Sequence, residues 1–197
     1  MEDARKHRPG DASRWALYDP DAAAHPLPAN LSIRPASAGD CAAIAAIEAR
    51  RDGVDAGRAQ DRCVAQLSDP DLLLLVALIG DGVQGFGRAG RFGSNQPDGS
   101  TSLPGGWYLL GMIVVDAWRR HGIGRELTRH RLAWIAQRAD AAYYFANARN
   151  AASVDLHRAL GFAEAARLAS GAEMNFEGGE GVLWRIDFER VNTPGQY

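Results

Sequence analysis

Apolar positions follow two rhythms along this chain, and the places where one gives way to the other mark out its elements. Ile44, Ile47 and the neighbouring Glu48 recur at helical spacing behind Asp40, so a helix capped by Asp40 is predicted to run until Asp52-Gly53 breaks it. A second helix, poorer in apolar residues, covers Ala56 to Leu67 and stops before Asp69-Pro70-Asp71. Continuous apolar runs then replace the helical stripe. Leu72 to Ile79 and Val83 to Phe92 flank Gly80-Asp81-Gly82, which predicts an antiparallel hairpin, and Trp107 to Val115 forms the next strand after a Gly/Ser/Pro-rich loop from Gly93 to Gly106. Ile123, Leu127, Leu132, Trp134 and Ile135 supply the buried stripe of a further helix. Tyr143 to Asn147 is a short aromatic strand, Asn150 caps a last helix, and Gly161 supplies its left-handed stop before Phe162. Two closing strands, Ala163 to Ala169 and Gly181 to Phe188, flank an acidic loop with Glu173, Glu177 and Glu180. Strands interleaved with helices predict an α/β fold around a mixed sheet.

Composition narrows this only a little. A chain of 197 residues fits one domain and is long enough to bury a core without metals or cross-links. With 22 basic and 24 acidic residues there is no global field to attract nucleic acid. Cys41 and Cys63 lie in helix-like segments without metal-ligand spacing, and are read as small buried apolar residues rather than a disulfide. The polar start at Met1 to Gly10 has no apolar core of a secretory signal, and Leu72 to Ile79, the longest apolar run, is too short to span a bilayer. The expectation is a cytoplasmic protein without membrane or nucleic-acid partners. Residues 1–30 show no sustained period and read as an extension, although Trp15 and Tyr18 could dock on the domain or on a second subunit.

Between the strand ending at Val115 and the helix beginning at Ile123 stands Arg119-Arg120-His121-Gly122-Ile123-Gly124. A strand feeding through such a loop into a helix N-terminus builds an anion site, because free backbone N–H groups and the positive end of the helix dipole converge there. The spacing lacks the Lys-Ser/Thr ending of a P-loop, so nucleotide hydrolysis is not expected. Gly85-Phe-Gly87-Arg-Ala-Gly90 matches a dinucleotide fingerprint literally, but the run after it, Arg91-Phe-Gly-Ser-Asn-Gln-Pro, cannot open a helix. Those glycines are read as permitting a bulge or close packing in a strand.

The Arg-x-x-Gly-x-Gly loop resembles the acyl-CoA signature of the GNAT superfamily of N-acetyltransferases, and the likeness extends from Leu31 to Phe188. Leu31-Ser-Ile-Arg-Pro-Ala followed by Asp40 is similar to that family's first strand and helix, and Asn150-Ala-Ala-Ser153 through His157 to Leu160-Gly161-Phe162 is similar to its second cofactor motif. The resemblance implies a mainly antiparallel sheet of about seven strands flanked by about four helices, over residues 31–190 with a tail at 191–197. It implies acetyl-CoA as cosubstrate and no metal. The pyrophosphate would lie on Arg119, Arg120, His121, Gly122, Ile123, Gly124 and Arg125, with pantetheine paired beside Val114 and held by Asn150 near Ser153. Met112 would offer its N–H to the thioester oxygen, where negative charge grows. His157 stands where many relatives carry a tyrosine that protonates the departing thiolate, and an imidazolium could do the same.

The acceptor poses a separate problem. An alkylammonium with a pKa of about 10.4 is only about one part in a thousand neutral at pH 7, a deficit of roughly 4–5 kcal/mol. Several relatives place a glutamate where this chain has Tyr108. Candidate bases are Glu48, Asp52 or Asp55 on the helical wall, Glu173 or Glu177 on the late loop, or a water relay past Tyr108. Glu48, Asp52, Glu173 and Glu177 near the cleft would also draw a cationic acceptor. The leading expectation is therefore transfer to a primary amine of a small molecule, of the aminoglycoside-like antibiotic-resistance kind, in a ternary complex. Acetylation of a protein N-terminus or lysine is the alternative within the enzyme class, and a non-catalytic acyl-CoA-binding module is the alternative outside it. A homodimer is expected from family habit and the aromatic arm.

Overall fold

The computed structural model describes residues 24–92, 103–169, 176 and 180–189. The strands are β1 (Leu31–Pro35), β2 (Leu72–Ile79), β3 (Gly82–Phe92), β4 (Gly106–Val114), β5 (Ala141–Asn147), β6 (Ala163–Ala169) and β7 (Glu180–Asp187). The helices are α1 (Cys41–Asp52), α2 (Ala56–Gln66), α3 (Ile123–Ala136) and α4 (Ala151–Arg158). All seven strands form one sheet in the order β1-β2-β3-β4-β5-β7-β6. Every neighbouring pair is antiparallel except β4 and β5, which run parallel and pair only at Tyr108↔Tyr143. The expected fold class, a mixed and mainly antiparallel sheet with four helices, is the one observed.

Local chemistry explains most of the boundaries. Gly53 closes α1 in the left-handed region at φ 68°, Asp55 accepts the Arg58 N–H to cap α2, and Gly161 stops the chain after α4 at φ 95°. One face of the sheet packs on α1 and α2 through Cys41, Ile44, Cys63, Val76, Phe86 and Ile113. The other face packs on α3 through Leu75, Ala77, Ile123 and Leu127 and, further along the sheet, through Leu109, Ile135 and Tyr144.

β3 is a strand through its whole glycine-rich stretch. A Cβ at Gly85 would stand 2.9 Å from the Ile113 carbonyl oxygen, one at Gly87 would stand 3.1 Å from Arg131 Nε, and one at Gly90 would stand 3.0 Å from the Asp71 carbonyl oxygen. The literal dinucleotide fingerprint thus records close approach to neighbours.

Three expectations need correction. Cys41 and Cys63 are fully buried, but they are joined by a disulfide across α1 and α2, with Cα atoms 5.5 Å apart. The pairing arises because both residues sit on the sheet-facing stripes of two packed helices, a proximity that linear spacing does not reveal. The Asp40 carboxylate does not cap α1. It turns back to accept two bonds from Arg34 and one each from Ser37 N and Oγ, at 2.7–2.9 Å, in a tight turn over Ala38–Asp40. Finally, Thr128 and Arg131 join Ile123, Leu127 and Ile135 as the fully buried residues of α3, whereas Leu132 and Trp134 are only partly covered. Trp15, Tyr18, Glu173, Glu177, the tail from 191 onward and most of the loop after Phe92 lie outside the described residues.

Candidate active site

The single pairing between β4 and β5 leaves a wedge in the middle of the sheet. Beyond Tyr108↔Tyr143 the two strands separate, and a bulge in β4 assists, since Leu110 and Gly111 together oppose Arg88 of β3. The register fixes which backbone groups face the wedge. Val115 N–H donates to Gln84 O on β3 at 2.9 Å, so Gly85↔Val114 and Gly87↔Met112 are the non-hydrogen-bonded pairs. Met112 and Val114 therefore turn their main-chain groups away from β3. Their carbonyls accept weakly from Arg51 Nη1 and Arg119 Nε, each at 3.4 Å, while no backbone acceptor on β3 takes their N–H groups.

At the end of β4 the chain turns through Asp116–Trp118 into the basic loop. Arg120 adopts φ 65° and Gly122 φ 78°, and this pair of left-handed residues delivers the chain to the first turn of α3. The N–H groups of Ile123, Gly124 and Arg125 have no intrahelical acceptor, as at any helix start. A Cβ at Gly124 would stand 3.3 Å from Met112 Cε, so the helix start packs directly against β4.

The side chains of the loop are less available than the expectation supposed. Arg119 pairs with Asp116 at 2.7 Å, and His121 Nδ1 bonds Arg119 O at 2.8 Å. Arg125 is exposed and forms no ion pair with a described residue. The segment before β1 covers the loop from outside: His25 N–H donates to Arg120 O at 3.0 Å, His25 stacks on His121, and Leu27 Cδ1 lies 3.2 Å from the Gly122 Cβ position.

Opposite the loop, α1 and α2 form a wall over β3 and β4. Here the sequence-predicted acids are already engaged. Glu48 is buried and accepts from Arg62 Nη2 at 2.7 Å and from Arg88 Nη1 at 2.8 Å. Burial pulls the Arg88 pKa down, and the Glu48 charge opposes that pull. A carboxylate already holding two guanidinium groups is a poor lure for a cationic ligand. Glu48 is thus held between two arginines in a buried position. Asp52 is exposed at the end of α1, 3.7 Å from Arg51 Nε, and Asp55 is spent on the cap of α2. Gly111 lies beside this wall on β4, exposed, with nothing within 4 Å of its Cβ position.

Tyr108 and His157 are also buried and hydrogen-bonded. Tyr108 is fully buried, donates its hydroxyl to Pro104 O at 2.6 Å, and stacks on Tyr143. Burial drives its pKa well above the ordinary tyrosine range, so the hydroxyl stays protonated and committed. His157 is 3% exposed and stacked on Tyr144 with centroids 3.7 Å apart. Its Nδ1 bonds Ser153 O at 2.7 Å, which places the proton on Nδ1 and leaves Nε2, buried and without a partner, as a lone pair. Burial pushes the His157 pKa down to about 4, so the expected imidazolium is absent near neutrality. Ser153 is used on every side, since its Oγ takes the Tyr144 hydroxyl at 2.9 Å and its N–H is capped by Asn150 Oδ1 at 3.3 Å.

The feature that sequence reading missed is Arg131. It is fully buried on the α3 face, behind the bulge, where Nη1 donates to Arg88 O at 3.0 Å and to Leu110 O at 3.1 Å. Those are carbonyls the bulge removes from the ladder. Its Nη2 reaches Thr128 Oγ1 at 2.9 Å and Met112 Sδ at 3.2 Å. The sequence sign was its spacing: Arg131 stands four residues after Leu127 and four before Ile135, on the same buried face of α3. Among the described residues no three metal-ligating side chains converge, and no helix is long and apolar enough to cross a membrane.

The fold has known counterparts. The model of the Acetyltransferase (GNAT) family matches residues 41–162. No curated protein matches the sequence. Among solved structures, yncA from Salmonella typhimurium, a putative acetyltransferase with its cofactor acetyl-CoA, is similar at 20% identity and TM-score 0.67, covering 85% of this chain and 99% of that one. The ribosomal-protein-alanine N-acetyltransferase from Brucella melitensis is similar at 23% identity and TM-score 0.66, covering 80% and 99%. Arabidopsis thaliana NAA60 in complex with acetyl-CoA is similar at 17% identity and TM-score 0.63, covering 80% and 98%.

Proposed function

This chain belongs to the GNAT family of acetyltransferases, and from that premise we propose that it moves an acetyl group from acetyl-CoA to the primary amine of a small molecule. The observation that carries the reading is the wedge between β4 and β5 with α3 starting at its end: backbone donors along one edge, and an anion-binding helix terminus where a pyrophosphate would sit. The residues fit the cosubstrate. Main-chain groups of Arg120 to Arg125 would hold the pyrophosphate, Met112 and Val114 would pair with the pantetheine, and Asn150 would contact it from the α4 cap. When bound, acetyl-CoA supplies an activated thioester carbonyl. Met112 N–H, turned away from β3, would donate to that oxygen.

On the acceptor side, Arg51, Arg62 and Arg88 stand against Glu48 and Asp52, so the described wall is not acidic. That balance favours an acceptor without the multiple positive charges of an aminoglycoside. The amine would lose its proton to water or to the late loop of Glu173 and Glu177. Protein N-terminal acetylation stays the second reading, because relatives of this fold include a ribosomal-protein-alanine N-acetyltransferase. Purified protein, acetyl-CoA and a panel of monoamines, amino acids, aminoglycosides and peptides, monitored by release of free CoA thiol, tests this. Turnover confined to peptides would overturn the small-molecule reading. Tight CoA binding with no turnover on any amine would instead favour a non-catalytic acyl-CoA-binding module.

A further inference from the structure

Arg131 is a buried cation that forms no ion pair with a carboxylate among the described residues. Its partners are neutral: Leu127 O at 3.2 Å, Arg88 O, Leu110 O, Thr128 Oγ1 and Met112 Sδ. Burying a guanidinium without an anion costs heavily, and neutral acceptors recover only part of that cost. Capping the bulge carbonyls needs two donors, which a neutral side chain could supply, so the charge itself calls for an explanation. Two further features protect it. Gly87 leaves the space that the guanidinium fills, since a Cβ there would meet Nε at 3.1 Å and Cζ at 3.3 Å. Thr128 Oγ1 donates to Gly124 O at 2.8 Å and accepts from Nη2, which links the cation to the first turn of α3.

The charge lies beside Met112, the residue whose N–H faces the wedge, and no imidazolium exists at His157 to serve the same end. His157, the titratable group facing Arg131 from α4, is neutral and turns a lone pair inward. Tyr144 from β5 stacks on that ring with its hydroxyl given to Ser153. Glu48, Arg62 and the guanidinium of Arg88 lie with α1 and α2 on the opposite face of the sheet. Resting on the acetyl-transfer reading, we propose that Arg131 is the positioning residue of this site: it ties the Leu110–Gly111 bulge, aims the Met112 N–H into the wedge, and gives the wedge a positive charge that favours the thiolate of CoA. In acetyl transfer the C–N bond forms, the C–S bond breaks, sulfur keeps the electron pair, and the proton from nitrogen passes to water. A sulfur leaving into the field of a buried guanidinium needs no proton donor at the His157 position.

The test reads the thiol directly. CoA bound to the wild-type protein is titrated by the ultraviolet absorbance of its thiolate, beside free CoA, and then bound to Arg131→Gln and Arg131→Lys. The expected result is a bound thiol that ionises at least about one pH unit below free CoA, and an ionisation returned upward by about tenfold in Arg131→Gln and in Arg131→Lys, because an ammonium buried without an anion sheds its proton. In turnover, Arg131→Gln lowers kcat by roughly tenfold with KM for acetyl-CoA changed less than about twofold. A wild-type bound thiol that titrates at or above free CoA overturns the inference without reference to any variant, and so does a lowered value unmoved in Arg131→Gln. Failure of the wild-type protein to bind CoA at all would overturn the parent reading, and this one with it.

Discussion

The two sides of the β4–β5 wedge are built from different material. On the side of α3 the candidate cofactor cradle is backbone: N–H groups at a helix start, two left-handed residues, and a glycine packed on Met112. On the side of α1 and α2 the candidate acceptor wall is side chain, a set of arginines and carboxylates that pair with one another beside a buried disulfide. A backbone cradle needs only the right turn and works with varied side chains. A side-chain wall depends on which charges happen to meet, so the same residues become lure, base or strut according to their partners.

The largest break in this contrast is expected at Glu48. Glu48→Gln leaves Arg88, buried on β3, without its counter-charge and should cost about 4 kcal/mol of stability in urea unfolding, the usual scale for removing one partner of a buried pair. If Glu48 were instead the general base, stability would hold while kcat fell and lost its pH dependence. His157 gives the next effect. Its folded pKa of about 4 lies below the unfolded value of 6.5, so the native state binds fewer protons in between. Stability from this group is complete above pH 6.5 and erodes as pH falls toward 4, by about 3 kcal/mol, and His157→Gln should flatten that slope in unfolding curves taken across the window.

The disulfide comes close behind. Replacing Cys41 and Cys63 by Ala frees a loop spanning 22 residues and should cost about 3 kcal/mol, seen as a lower urea midpoint that reductant no longer shifts. The cradle itself should respond to backbone and not to charge. Gly124→Val would push a branched side chain toward Met112 Cε, 3.3 Å from the Cβ position, and weaken CoA binding by roughly a hundredfold in calorimetry. Arg119→Ala should weaken it by only about threefold, because that guanidinium is held by Asp116. The reverse order of these two affinities would mean that side-chain charge, not main-chain geometry, binds the phosphate.

Much of the architecture was open to reading along the chain. The hairpin turn at Gly80-Asp81, the α1 break at Gly53, the cap at Asn150 and the stop at Gly161 depend on residues next to one another, so sequence neighbours carried the information. The basic loop belongs with them, since a strand, two glycines and a helix start are all local. The surroundings of Arg131, Glu48 and His157 were not legible along the chain, for one reason. Each looks like an available charged group by type, and each is decided by elements far off in sequence: the β4 bulge for Arg131, Arg62 and Arg88 for Glu48, and the Tyr144 ring for His157.

Taken by itself, the sequence determined the order of the strands and helices along the chain and the glycine-bearing turn into α3, because hydrophobic period, capping and glycine conformation act over a few residues. Tertiary structure alone decided which ionisable groups remain available, because charge state depends on burial and on partners that only the fold brings within a few ångströms. It sealed Cys41 to Cys63, neutralised His157, and enclosed Glu48 between two arginines. It also placed a guanidinium, with only neutral partners among the described residues, behind the strand where the proposed acetyl transfer would take place.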